Sequence, residues 1–240
     1  MGQPLPKVLG ILGGLGPMAT VYFYELLTRH TKAARDQDHI DVVINSRATT
    51  PDRTAYILGE SEENPFDIMV KDAQRLVTFG ADILAIPCNT AHYFYDRLNS
   101  TVNVPILNMV EETVLTAKHS GCRKLGVLAT TGTVRTSTYQ RICALHGLDC
   151  AVPDDAAQKC LMQVIYGDVK QGKRIDLDAF RRAAGSLRAQ GCDRAVLGCT
   201  ELSLVKRDEG LDAFYLDSME VLAKSAILAF GKTPVGLDEL

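Results

Sequence analysis

Two stretches of this sequence occur twice, in the same order. Lys7-Val-Leu-Gly-Ile-Leu-Gly-Gly-Leu-Gly16 resembles Lys124-Leu-Gly-Val-Leu-Ala-Thr-Thr-Gly132, each reading as a lysine-led strand that runs into a small-residue turn before a helix. Further on, Gly80-Ala-Asp-Ile-Leu-Ala-Ile-Pro-Cys88 resembles Gly191-Cys-Asp-Arg-Ala-Val-Leu-Gly-Cys199, with the two cysteines in register. The interval between the paired stretches is similar in both copies. Such a chain is expected to fold as two homologous halves, each ending one strand in a cysteine.

Short apolar runs alternate with longer segments of helical period, the pattern of β-α units around a parallel sheet. The expected strands are Val8–Leu12, Asp41–Asn45, Ile83–Pro87, Leu125–Ala129 and Ala195–Gly198; their continuous apolar character suits sheets covered on both faces. The expected helices are Ala19–Ala34, Pro65–Phe79, Ala91–Leu98, Thr138–His146, Leu177–Gln190 and Ser218–Phe230. The fold class is therefore α/β. The segment Phe214-Tyr-Leu-Asp-Ser218 and the helix after it are expected to cross back onto the first half. That makes a discontinuous first domain, 1–113 with 214–240, around a second, 114–213.

Composition narrows the functional classes. With 240 residues, 46% of them hydrophobic and 23% charged, the chain has ample material for a buried core. A net charge of −3 without a Lys/Arg cluster argues against a nucleic-acid partner. No apolar run approaches the roughly 20 residues of a membrane helix, and the N-terminus lacks a charged-then-apolar signal pattern, so a cytoplasmic protein is expected. Seven cysteines without a C-x-x-C pair, and five scattered histidines, give little support to a disulfide framework or a metal site.

In open parallel sheets, ligands bind beyond the carboxyl ends of the strands, where Cys88 and Cys199 stand. Two halves facing one another would bring the thiols to one cleft from opposite sides, as inversion of a carbon centre requires. One thiolate removes a proton from one face, and the opposing thiol delivers another to the other face. A free cysteine has a pKa of about 8.5, so one thiolate facing one thiol is attainable near neutrality. Gly14-x-Gly16-x-x-Ala19 formally matches a dinucleotide fingerprint. The acidic residue expected after the second strand is missing, and Asn45-Ser46-Arg47 stands there. Arg47 as a phosphate partner keeps an NADP-linked reductase as the alternative, beside a non-catalytic sensor of small acids. Otherwise both glycine turns read as cradles for a carboxylate. Arg53 offers a planar fork suited to a carboxylate, whereas Asp52 and Lys170 alone would pass for solvated loop charges.

Taken together, Gly13-Gly-Leu-Gly-Pro17-Met-Ala-Thr, Pro51-Asp-Arg-Thr54, Pro87-Cys-Asn-Thr-Ala-His92, Lys170 and Gly198-Cys-Thr-Glu-Leu202 resemble the aspartate/glutamate racemase family, most closely its aspartate racemase branch. The resemblance runs over nearly the whole chain. It implies a cofactor-independent amino-acid racemase with two pseudosymmetric, doubly wound α/β domains, each with a mainly parallel sheet and the active site between them. By the same resemblance, Cys88 and Cys199 are the catalytic thiols, Cys199 serving the L-enantiomer and Cys88 the D-enantiomer. Arg53 and Lys170 bind the substrate's side-chain carboxylate, with Asp52 as an acidic neighbour and Thr54 beside them. Asn89, Thr90 and Ala91 hold the α-carboxylate, with Thr131 and Thr200 as further candidates. A homodimer is implied, with an amino acid as the only other partner. Aspartate is the first expected substrate and glutamate the second. The departure at Asn45–Thr50, where Arg47 could alter side-chain preference, leaves that choice open, and hydantoin racemases and maleate isomerases share the superfamily.

Overall fold

Seven strands form two all-parallel sheets in the computed structural model, which describes residues 8–237. Lys7, which leads the first repeat, lies outside the described residues. In the first half, β1 (Val8–Gly13), β2 (Asp41–Ser46) and β3 (Ile83–Ala85) take the order β2-β1-β3. In the second, β4 (Lys124–Ala129), β5 (Asp149–Ala151), β6 (Arg194–Gly198) and β7 (Tyr215–Asp217) take the order β5-β4-β6-β7. The first three strands of each half thus occupy equivalent places. Two α/β domains result, each doubly wound around a parallel sheet.

The strand pairing refines the repeat. Leu9 pairs with Ile83 and Gly10 with Leu84, while Leu125 pairs with Arg194 and Gly126 with Ala195. Gly10 therefore corresponds to Gly126 and Cys88 to Cys199, so the lysine-led match is one residue out of step in the first strand. The reason is packing. A Cβ on Gly10 would lie 2.5–3.2 Å from side-chain atoms of Leu84, Ala81 and Leu76, and one on Gly126 within 2.7–3.2 Å of Leu187. Leu76 and Leu187 sit on equivalent helices, Phe66–Thr78 and Leu177–Ala189, each pressed onto its sheet through the room the glycine leaves. Asp82 and Asp193 complete the equivalence. Asp82 accepts a hydrogen bond from the Val8 amide at 2.9 Å, and Asp193 accepts from the Lys124 amide at 2.9 Å. Each carboxylate satisfies the start of its half's first strand.

Alternation along the strands buries both faces. Leu9, Ile11 and Ala85 pack with Phe23, Met219 and Ile227, while Leu12, Leu84 and Ile86 pack with Met69, Leu76 and Phe94. In the second half, Leu125, Val127 and Val196 face one core, and Leu128, Ala195 and Leu197 face the other. Side chains of this kind contribute about 1.5–3 kcal/mol each when fully buried. Among the described residues, no helix is long and apolar enough to cross a membrane.

Some expectations shift. The helix expected at Ala91–Leu98 is a 3-10 turn, Thr90–Phe94, followed by a short helix, Tyr95–Asn99. The return to the first half falls at Ser218 rather than Phe214, because Tyr215–Asp217 first pairs with β6 and completes the second sheet. The helix Ser218–Ala229 then packs on Leu9, Ile11 and Phe23.

That crossing is anchored by Asp217, which is fully buried. Its Oδ1 accepts from Ser203 Oγ at 2.6 Å and from the Met219 amide at 2.8 Å, while Oδ2 has no partner. Burial, reinforced by the nearby Glu220 carboxylate, pushes its pKa up to about 7. A carboxyl whose folded pKa is raised favours folding less as pH rises from its unfolded value near 3.8 through about 7. The penalty is therefore absent in acid and complete above neutrality. Asp217→Asn, which cannot ionise, should gain up to about 4 kcal/mol on the wild type between pH 4 and pH 8. Denaturant unfolding of both proteins across that range checks this, and a constant difference would contradict it.

Candidate active site

Both strand-end cysteines face the junction of the halves. One gap there is lined by Leu15, Asp52, Arg53, Thr54, Cys88, Asn89, Thr90, Thr130, Tyr166, Lys170, Cys199, Thr200 and Glu201. Its free volume is only about 10 Å³, at the limit of what one water molecule needs. The gap is closed. It adjoins an outer cavity of about 460 Å³ that shares Asp52, Arg53, Lys170 and Glu201 and has apolar walls of Pro17, Met18, Ala48, Val169 and Leu204.

Cys199 ends β6 as the N-cap of the helix Thr200–Glu209. It is buried, and its thiol donates a hydrogen bond to Glu201 Oε2 at 2.9 Å. Burial first, then the Glu201 carboxylate, push this thiol well above the ordinary range, while Lys170 pulls the other way. Cys88 follows β3 and is also buried. The buried His92 ring fixes its backbone: Nδ1 lies 2.9 Å from the Cys88 carbonyl, and Nε2 accepts from the Met109 amide at 3.1 Å. Those partners require a neutral ring with its proton on Nδ1. Burial lowers the His92 pKa and so favours that neutral form.

Asp52 caps the short helix Arg53–Leu58, accepting from the Ala55 amide at 2.9 Å. From the other half, Tyr166 donates its hydroxyl to Asp52 Oδ2 at 3.2 Å, and burial pushes the Tyr166 phenol up to about 12. Lys170 reaches the same gap. Its ammonium lies 3.8 Å from Asp52, 3.7 Å from Glu201 and 4.3 Å above the Tyr166 ring. Burial works against this charge, but Glu201, with Tyr166, Cys199 and Asp52, holds the Lys170 pKa above the usual lysine range.

The Arg53 fork is partly committed. Nη1 donates to the Pro51 carbonyl and Nη2 to the Leu15 carbonyl, each at 2.9 Å, whereas Nε is buried without a partner. An unpaired buried donor on a cation costs stability. Asn89 is held by Tyr139, which donates to its Oδ1 at 2.6 Å, and donates in turn to Ser218 Oγ at 3.0 Å. Thr90 joins the halves through Thr130 and Thr133, whose hydroxyls lie 3.0 and 3.1 Å from its own. Thr54 and Thr200 are buried in the same wall.

Two expected residues stand elsewhere. Ala91 is fully buried among Leu12, Phe94 and Leu98, a core position one residue past the wall. Thr131 turns away from the gap: its amide donates to Met162 Sδ at 3.3 Å, and its hydroxyl accepts from Gln158 at 3.4 Å. Thr130 lines the gap instead, because it caps the helix that begins at Thr131. Glu201 and Tyr166 were not anticipated. Glu201 stands in the Gly198–Leu202 motif, two residues after a cysteine at a strand end, a spacing that brings its carboxylate back to the thiol.

Arg47 lines neither the gap nor the outer cavity. Its guanidinium grips Asp72 through Nε at 2.5 Å and Nη2 at 2.7 Å. The glycine turn is also filled from within. Gly14 has a φ of 82°, and a Cβ there would lie 2.3–2.5 Å from the Arg47 backbone; one on Gly16 would lie 3.1 Å from Glu201 Oε1. The room these glycines leave is taken by the protein's own atoms, not kept for a pyrophosphate. Among the described residues, no group of three or more His, Cys, Asp or Glu side chains could hold a metal ion.

Comparison with known proteins matches this architecture. Residues 12–226 fit the family model described as Asp/Glu/Hydantoin racemase. The aspartate racemase of Picrophilus torridus superposes with a TM-score of 0.82 at 29% identity, over 98% of this chain and all of that one. The broad specificity amino-acid racemase RacX of Bacillus subtilis is 27% identical over 93% of this chain and 98% of its own length. A Francisella tularensis glutamate racemase bound to D-glutamate shares the fold, with a TM-score of 0.68 at 15% identity, over 94% of this chain and 81% of that one. A family model spanning all but the chain's ends, over a two-sheet frame with paired strand-end thiols, makes this chain a member of the Asp/Glu/hydantoin racemase family, whose amino-acid racemases work without pyridoxal phosphate.

Proposed function

We propose that the protein racemises an acidic amino acid, aspartate first and glutamate second, with Cys88 and Cys199 as the two bases. The observation that carries this is the placement of two buried thiols, one from each sheet, in a single gap beside a buried arginine with an unpartnered Nε. The relatives whose names specify aspartate and glutamate support the substrate class. The L-enantiomer loses its α-proton to Cys199 and gains one from Cys88 on the opposite face, and the D-enantiomer follows the reverse path. Arg53 and Lys170 take the distal carboxylate, with Asp52 and Thr54 holding that end of the site. Asn89, Thr90 and Thr200 hold the α-carboxylate. The closed gap must widen before substrate fits, so catalysis includes separation of the halves or displacement of the segment Gln163–Gln171.

A second reading is favoured by the outer cavity. Its apolar walls abut Arg53 and Lys170, so longer side chains could extend into it, in keeping with the similarity to RacX. The proposal includes a homodimer in the cytoplasm, with no nucleic-acid or membrane partner. Exposed Met18, Val21 and Tyr24, spaced three residues apart on the helix Pro17–His30, offer such a dimer an apolar face.

Purified protein incubated with L-aspartate, without added cofactor, should form D-aspartate detectable by chiral chromatography. Failure with every acidic amino acid in a broad panel would overturn the proposal. Arg53→Ala and Lys170→Ala should each lower kcat/KM for the best acidic substrate by about 2–4 kcal/mol, because a desolvated charge pair loses one partner. Unchanged values in both variants would show that the substrate carries no distal carboxylate.

A further inference from the structure

Glu201 sits at the junction of two parts of the site. One carboxylate oxygen, Oε2, takes the Cys199 thiol hydrogen bond at 2.9 Å, and the other, Oε1, lies 3.7 Å from the Lys170 ammonium. The side chain is buried, and Gly16 on the opposite wall leaves it room, since a Cβ there would come within 3.1 Å of Oε1. The other titratable or charged groups around this pair are Asp52 and Tyr166 on the Lys170 side, and Arg53 and Cys88, which line the same gap. The cations Lys170 and Arg53 are balanced by Asp52 and Glu201.

We propose that the substrate's distal carboxylate activates Cys199 through Lys170 and Glu201: when it takes the ammonium, Glu201 takes the thiol proton. This inference rests on the acidic-substrate reading above. A third carboxylate brought to two cations already balanced by Asp52 and Glu201 leaves an excess of negative charge, and the affinity of Glu201 for a proton rises. The acidic proton already hydrogen-bonded to Glu201 is the one on Cys199, with the Thr200 hydroxyl at 3.5 Å from the same oxygen. The S–H bond breaks and an O–H bond forms at Oε2, with no other reactant and no change in net charge. The negative charge moves from Oε2, beside the incoming distal carboxylate, to Sγ, which faces the α-carbon and the substrate's ammonium group. A neutral side chain leaves Glu201 paired with Lys170 and Cys199 a thiol. The enzyme then reads side-chain acidity in kcat as well as in KM.

The test uses Cys88→Ser protein, which on this reading should bind substrate without completing racemisation, with L-aspartate and its neutral isostere L-asparagine as probes at pH 7. Thiolate ultraviolet absorbance should rise toward one equivalent per chain with aspartate and stay unchanged with asparagine. Adding Glu201→Gln should abolish the rise while calorimetry still detects aspartate binding. Adding Lys170→Met instead should also abolish the aspartate-dependent rise, because the distal carboxylate then has no ammonium to draw away from Glu201. In the otherwise unaltered enzyme, Glu201→Gln should lower kcat for L-aspartate by about 100-fold with a much smaller change in KM. Aspartate binding without new thiolate, or an equal rise after Glu201→Gln, would overturn the coupling and leave the substrate reading intact. If aspartate does not bind, glutamate and its neutral isostere glutamine replace the pair in the same test, and binding of neither acid to Cys88→Ser protein would overturn the substrate reading, and the coupling with it.

Discussion

Two proton-transfer groups can face one carbon from opposite sides only if each is carried on its own rigid support. In the mechanism proposed for this chain each support is the end of a parallel strand, β3 for Cys88 and β6 for Cys199, at equivalent positions of two similar sheets. The rest of the fold keeps those strand ends in place. Gly10 and Gly126 let Leu76 and Leu187 press onto the sheets, and Asp82 and Asp193 secure the strands beside them. The chain then crosses between halves at Ser218, so the C-terminal helix locks onto the first sheet after β7 has closed the second.

The site built on this frame is tense rather than relaxed. Burial disfavours thiolate at Cys199, although the helix it caps would by itself favour a negative sulfur. Lys170 stays charged because two carboxylates and an aromatic face surround it. Arg53 spends two of its nitrogens on backbone carbonyls and keeps one donor without a partner. Of these groups, Arg53 alone keeps a donor without a partner, while Cys199 and Lys170 are held by burial and by the carboxylates beside them. In a site so closely balanced, the arrival of one further charge would shift the protonation of its neighbours, which is the basis of the proposed link between substrate recognition and thiol activation.

Much of this frame was legible in the sequence. Val8–Leu12 and Leu125–Ala129 are continuous apolar runs because both sheet faces are covered, and the cysteines stood out because the duplication placed them in register. The three-residue strands β5 and β7 left no comparable trace: pairing with a longer neighbour, not local pattern, makes them strands. Thr131 came from the family resemblance, and spacing alone cannot show that its neighbour Thr130, which caps the helix, is the one that lines the gap. Ala91 shared a motif with wall residues but points into the core. Arg47 looked free to meet a ligand because its partner, Asp72, lies on a helix distant in sequence. Glu201 was passed over because its importance depends on Lys170, which tertiary folding alone brings near.

The central claim, that each face of the substrate has its own thiol, is tested most directly by α-hydrogen exchange in heavy water. Serine is too weak an acid to supply a base here, so neither Cys→Ser variant should racemise, but the surviving thiolate can still remove and return a proton on its own face. Cys88→Ser should exchange the α-hydrogen of L-aspartate without inverting it, and Cys199→Ser should do the same for D-aspartate. Wild-type racemisation by either variant, or exchange of both enantiomers by one of them, would contradict the account.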